Sequence, residues 1–287
     1  MSSILLTGAT GTVGREVAKA LTQRNIPFRV ASYHTPVVDE KEVYLDLQKP
    51  ETFLPALLRV EKVFLIRPPR IADVKKYFYP FVQAARQQGV KQIVFLSAMG
   101  VERQGFAPPA KIEKYIRDAQ IDYTFLRPSF FMQNLVTAHL DEIRQDATIY
   151  LPSGKGKTSL IDARDIGEAG AVSLLDEQHV NKAYTLTGSQ SLSYYEVAKI
   201  FTDVLGRQIT YANPSLFQFR KRMLAKELPS QYVSVMLGVY LIAILGVPRA
   251  VTPDLGLLIG RAPKTMREFV FDYRDQFASS TDSPVRI

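Results

Sequence analysis

Glycines at 8, 11 and 14 stand in the run Thr7-Gly8-Ala9-Thr10-Gly11-Thr12-Val13-Gly14-Arg15, directly after the apolar Ile4-Leu5-Leu6. Such spacing does chemistry where a strand turns into a helix. Gly8 permits the tight turn, Gly11 lets backbone amides close on a diphosphate, and Gly14 lets the helix pack onto the sheet. Thr10, Thr12 and Val13 fill the same cradle, and the helix N-terminus offers orphan N–H donors and the positive end of a dipole. The pattern is GxxGxxG rather than the more usual GxGxxG, so its place at the head of a βα unit carries the reading. A dinucleotide is the expected ligand. About 20 residues on, where an NAD site keeps an Asp or Glu, the chain reads Ala31-Ser32-Tyr33-His34-Thr35, with no acid before Asp39. Ser32, Tyr33 and His34 would accept a 2′-phosphate that a carboxylate repels. NADP(H) is therefore the expected coenzyme, with NAD(H) the alternative. Arg15 is either a guanidinium for that phosphate or a solvated helix residue.

Other chemistries are excluded by composition. With 287 residues and no cysteine, the chain has no thiolate metal site, Cys nucleophile or redox pair. The histidines at 34, 139 and 179 are isolated, so no metal site is expected. No Gly-x-Ser-x-Gly elbow is found. A net charge of +8 arises from scattered basic residues. Arg220-Lys221-Arg222 reads as a solvated helix face, and no nucleic-acid partner is expected. The apolar run Val233 to Val247 falls short of the roughly 20 residues a membrane span needs. It reads as a buried helix or pocket wall, with membrane attachment or a homodimer face as alternatives. The first residues carry no basic leader, and a cytoplasmic location is expected.

The elements that must hold the glycine loop alternate regularly. Strands are expected at Ile4–Thr7, Phe28–Ser32, Lys62–Ile66, Gln92–Ser97 and Tyr123–Leu126. Helices are expected at Gly14–Arg24, Glu51–Leu58, Val74–Gln88 and Ala110–Ala119. Continuous apolar strands, each followed by a helix, predict an α/β fold with a doubly wound parallel sheet of Rossmann type. After Pro128 the rhythm loosens: Ala183–Thr187 reads as one more strand, and Leu192–Leu205 and Phe217–Leu245 as helical. This predicts a Rossmann domain of 1–128 with about 156–188. A smaller, mostly helical substrate lobe of 129–155 and 189–287 would lie over the strand ends. The stretch 279–287 reads as a frayed tail.

Several segments together resemble the atypical short-chain dehydrogenases, the NmrA-like and isoflavone-reductase-like group that includes triphenylmethane reductase and quinone oxidoreductases. They are TGATGTVG (7–14), LDLQKPETF (45–53), QQGVKQIVFLSAMGV (87–101), AKIEKYIRDAQIDYTFLRPSFFMQN (110–134), IDARDIGEAGAVSL (161–174) and AYTLTGSQSLSYYEVAKIF (183–201). The resemblance implies that Asp46 and Leu47 lie along the adenine, although Asp46 also reads as a turn carboxylate. It implies that Ile66, Arg67, Pro68 and Pro69, with Ser97, Ala98 and Met99, line the nicotinamide-ribose side. Lys111 matches the lysine of the Tyr-x-x-x-Lys motif, in which the lysine lowers the phenol pKa. The residue four before it is Ala107, which departs from the pattern. Lys111 is then a general acid/base, a ribose ligand, or a surface lysine beside an exposed Glu113 and Lys114. Tyr115 is a possible neighbour one turn on, whereas Tyr195-x-x-x-Lys199 falls in the second lobe and reads as packing. Phe130, Phe131 and Asn134 are implied at the substrate mouth, with core packing and backbone capping as alternatives. Asp162 and Asp165 read as a link between lobes, Asp165 as a helix N-cap. The expected function is an NADP(H)-dependent reductase passing hydride to a small apolar or aromatic acceptor such as a quinone, imine, enone or dye. The alternatives are a non-catalytic redox sensor and, more weakly, a sugar-nucleotide epimerase.

Overall fold

The computed structural model describes residues 4–33, 41–68 and 71–278. His34, Pro69 and the tail 279–287 lie outside the described residues. The chain divides into two compact units. The first runs to Pro128 and adds Ala163–Leu186 and Pro253–Arg261. The second holds Ser129–Asp162, Thr187–Thr252 and the chain from Ala262 on.

The first unit is built on a parallel sheet. Its strands are β1 (Ile4–Leu6), β2 (Arg29–Ser32), β3 (Glu42–Tyr44), β4 (Lys62–Ile66), β5 (Gln92–Leu96), β6 (Asp122–Pro128) and a last strand at Lys182–Leu186. They run in the order β3-β2-β1-β4-β5-β6 followed by Lys182–Leu186, every neighbouring pair parallel. The strand order reverses between β1 and β4, and a crevice outside the carboxyl ends is expected at that switch. β3 was not legible in the sequence: it is three half-buried residues at a sheet edge, too short for an apolar run. Central strands were legible because both faces are covered, as in Val63, Phe64 and Leu65 of β4, which are wholly buried.

Helices α1 (Thr12–Gln23), α2 (Phe53–Leu57), α3 (Val74–Gln87) and α4 (Pro108–Asp118) connect these strands. The first starts at Thr12, two residues earlier than predicted, so Gly14 is inside its first turn. The helix Ala163–Leu175 packs on α1 in backbone contact: a Cβ on Gly167 would stand 2.6 Å from the carbonyl carbon of Glu16. Asp165 is not an N-cap. It is the third residue of this helix, fully buried, and its carboxylate takes the Arg261 guanidinium at 2.7 Å. The same guanidinium reaches Glu168 at 2.7 Å, and Asp254 accepts from the Thr185 amide at 2.8 Å. Residues 253–261 are thereby fastened to the last strand and its helix.

The second unit has its own core, in which Met132, Leu135, Ile143, Phe201, Phe219, Met236, Tyr240 and Phe269 are buried. Two short ribbons brace it, Lys157–Thr158 with Leu192–Ser193 and Thr148–Ile149 with Thr210–Tyr211. The run near 233–247 forms the helix Ser230–Ile244, which buries only one stripe, Val233, Met236, Tyr240 and Ala243. Leu241 and Leu245 are 46% and 71% exposed, so the helix expected to be buried or to wall a pocket is covered along that one stripe. The sequence was apolar all round and gave no period to reveal which face is covered. Within this core the buried His139 ring nitrogen Nε2 meets the Tyr240 hydroxyl at 2.5 Å, and burial holds the imidazole pKa down to about 4. Nearby Glu142 is also buried and takes the Lys226 ammonium at 2.7 Å. Among the described residues no helix is long and apolar enough to cross a membrane.

Candidate active site

Parallel pairing brings Ser32, Thr7, Ile66, Ser97 and Arg127 to the carboxyl ends of five adjacent strands. The Thr7 hydroxyl ties two of these strands together. It donates to the Phe64 carbonyl at 3.1 Å and accepts from the Ile66 amide at 2.8 Å. Directly after it, Gly8 has φ +65°, a left-handed turn that glycine adopts without strain. A Cβ at Gly14 would lie 2.1 Å from the Gly8 carbonyl oxygen, so the helix can approach the loop only because no side chain intervenes. The N-cap is Gly11, which provides no side-chain cap, and its amide turns back to the Gly8 carbonyl at 2.9 Å. The next three amides, of Thr12, Val13 and Gly14, find no acceptor among the described residues. These are the orphan donors that a helix start leaves. They sit at the sheet's switch point, with Thr10, Gly11 and Thr12 exposed. The donor set fits a diphosphate.

Arg15 is exposed, and its guanidinium donates to the Thr10 carbonyl at 3.1 Å, bracing the loop from outside. At the β2 end Ser32 is half-buried and Tyr33 is 51% exposed. Asp46 closes a turn: its Oδ1 accepts from the Gln48 amide at 2.9 Å, and the adjoining Leu47 is buried. Arg67 curls over its own loop, donating to the Ile71 carbonyl at 2.9 Å and the Pro68 carbonyl at 3.3 Å. Burial lowers its pKa.

The end of β5 is organised by residues the sequence reading missed. Glu113 is not exposed. It is 1% exposed, and its Oε1 accepts from the Ser97 hydroxyl at 2.6 Å and from Arg127 Nε at 2.9 Å. Its Oε2 accepts from Arg127 Nη2 at 2.7 Å, and Arg117 lies 3.6 Å away. This hydrogen bonding raises the Arg127 pKa. The backbone continues the pairing beyond the strands, with Ser97 N–H on the Leu126 carbonyl at 2.8 Å and Met99 N–H on the Pro128 carbonyl at 3.0 Å. Ala98 and Met99 are half-buried between these contacts. An available signal was helical phase: Ile112, Glu113 and Ile116 share the buried stripe of α4. A carboxylate on an apolar stripe needs a cation, and Arg127 on the next strand supplies it.

Lys111 stands two residues before Glu113, hence on a different side of the helix, and is exposed. Tyr115, one turn on, packs its ring edge-on against Tyr79 at 5.3 Å. In the second unit, Phe130 leans on the core and its carbonyl accepts from the Ile161 amide at 2.9 Å. Phe131 pairs with Ile161 in a single parallel bridge and Asn134 is exposed at the start of Asn134–Thr137. Asp162 accepts from Gln133 Nε2 at 2.8 Å. Tyr195 is 48% exposed and packs edge-on against Tyr211 at 4.8 Å. Among the described residues no group of His, Asp and Glu could hold a metal ion.

Fold, loop and relatives together define an NAD(P)-binding oxidoreductase of Rossmann type. Residues 1–244 match the NmrA-like family, and the chain belongs to it. It is 32% identical over 268 residues to the uncharacterized oxidoreductase YesF of Bacillus subtilis, covering 93% of both chains. It is 30% identical to the NAD(P)H azoreductase of Xenophilus azovorans, covering 96% of this chain and 100% of that one. Among solved structures it is similar to the Citrobacter sp. triphenylmethane reductase complexed with NADP(H), with a TM-score of 0.84 and 24% identity over 94% of this chain and 99% of that one.

Proposed function

We propose that this protein is an NADP(H)-dependent reductase acting on an apolar conjugated acceptor: a quinone, imine, enone, azo compound or aromatic dye. The observation that carries the proposal is the glycine loop at the switch point, with three amides that no acceptor among the described residues takes and no carboxylate at Ser32 or Tyr33 to repel a 2′-phosphate. When bound, NADPH supplies a hydride from C4 of its reduced ring. Thr12, Val13 and Gly14 would hold the diphosphate through their amides, within the cradle of Gly8, Thr10 and Gly11. Ser32, Tyr33 and Arg15 would receive the 2′-phosphate, and Asp46 and Leu47 would border the adenine. Ile66, Arg67 and Pro68, with Ser97, Ala98 and Met99, would flank the nicotinamide ribose. Lys111 would bind that ribose or place a proton on the reduced acceptor. Phe130, Phe131 and Asn134 would contact the acceptor. Electron-poor conjugated acceptors need little acid assistance, so Ala107 in place of a tyrosine is tolerable. The azoreductase relative supports this choice.

The test is a melting-temperature titration followed by NADPH oxidation with a panel of quinones, imines and azo dyes. NADPH should raise the melting temperature more than NADH, and Gly14→Ala should erase both rises. Lys111→Ala should lower turnover by roughly 100-fold if Lys111 moves the proton. No shift with either coenzyme, or a larger one with NADH, would overturn the reading. Binding without turnover would favour the redox-sensor reading, toward which Ala107 points.

A further inference from the structure

The Ser97 hydroxyl has one proton, and the structure spends it. Its Oγ donates to Glu113 Oε1 at 2.6 Å, and a carboxylate has no proton to return. Glu113 cannot turn away, because Arg127 grips it by both oxygens at 2.9 and 2.7 Å from a fixed planar fork. Ser97 is itself held at the strand end, its amide on the Leu126 carbonyl at 2.8 Å. What remains on Ser97 Oγ is lone pairs. We propose that Glu113 is a positioning residue that fixes Ser97 as a hydrogen-bond acceptor, so that the ligand group meeting the end of β5 is an N–H or O–H donor and not a carbonyl or oxyanion. The inference rests on the reading that the β5 end borders the coenzyme and acceptor. Two sources share the required chemistry: the carboxamide N–H of the coenzyme, and a hydroxyl or amine on the reduced product. It follows that Ser97 stabilises no developing oxyanion here, and that reduced, donor-bearing ligands are retained in preference to donor-free ones.

Binding, with no turnover required, tests this by isothermal titration of the full chain with two ligand pairs. One pair is NADP+ and its acetylpyridine analogue, which lacks the carboxamide N–H. The other, added to the NADP+-loaded protein, is hydroquinone and 1,4-dimethoxybenzene. In the wild type at least one pair should favour the donor-bearing ligand by about three- to tenfold more than in Ser97→Ala, the worth of one net hydrogen bond. Ser97→Thr should restore the preference. Glu113→Leu, which releases the hydroxyl proton, should weaken or invert it; should that variant not fold, Ser97→Ala alone decides, since it leaves Glu113 and Arg127 joined. The pair that responds identifies the source. Ratios unchanged by Ser97→Ala while NADP+ still binds, or a change that favours donor-bearing ligands in the variant, would overturn the proposal alone. Failure of NADP+ to bind the wild type would overturn it together with the reading beneath it.

Discussion

Each unit of the molecule buries a glutamate, and the two are treated differently. Glu113 in the first unit has both oxygens engaged, by the paired nitrogens of Arg127 and by Ser97. Glu142 in the second takes Lys226 at 2.7 Å on one oxygen, while its Oε2 finds no hydrogen-bond partner among the described residues. Beside it, Nδ1 of the fully buried His139 is also without one. The Arg127 fork covers both oxygens of its carboxylate, whereas Lys226 at 2.7 Å and Arg222 Nε at 3.8 Å both lie on Oε1 of Glu142 and leave Oε2 over. Completeness belongs where orientation matters, at the strand ends. The second unit carries its polar groups as a stability cost that varies with proton concentration.

The comparison breaks most visibly at Arg127. Arg127→Met would leave the buried Glu113 charge only the half-exposed Arg117 at 3.6 Å and should cost about 3 kcal/mol in urea unfolding. A loss under about 1 kcal/mol, the value of an exposed pair, would mean the clamp is no clamp. Next in size is the acid sensitivity of the second unit. The imidazole of His139 has an ordinary pKa of 6.5 and a folded value near 4, because burial disfavours its charged form. Between these values the unfolded chain takes up a proton that the folded chain refuses, so stability should fall as pH drops from about 6.5 to about 4, by up to roughly 3 kcal/mol. His139→Gln should flatten that part of the pH profile, and an unaltered slope would sink the assignment. The smallest effect sets the scale for what burial adds. Lys91 and Glu61 lie 3.1 Å apart with both side chains at least half exposed, and Lys91→Ala should change stability by under about 0.5 kcal/mol, vanishing in high salt.

Legibility in the sequence followed the same divide. Strand, glycine turn and helix at residues 4–23 could be read because local rules fix them: an apolar run, a positive φ and a helix start with bare amides. The lysine after the missing tyrosine was readable by spacing. Glu113 was misread because its neighbours Lys111, Lys114 and Arg117 are exposed, and the cation that keeps it inside lies on another strand. Asp165 was misread for the same reason, its partner Arg261 standing far along the chain. Helix Ser230–Ile244 defeated periodicity by being apolar on every side. Long-range charge pairing and the choice among equivalent apolar faces are tertiary facts that no local window contains.

The fastening of residues 253–261 carries a consequence for biosynthesis. The glycine loop is made well before residues 253–261, and the edge strand Lys182–Leu186 and its covering helix receive Asp254 and Arg261 only after the chain between them has been read. A nascent chain emerging from the ribosome therefore waits, with that flank unfinished, until the intervening unit has been synthesised.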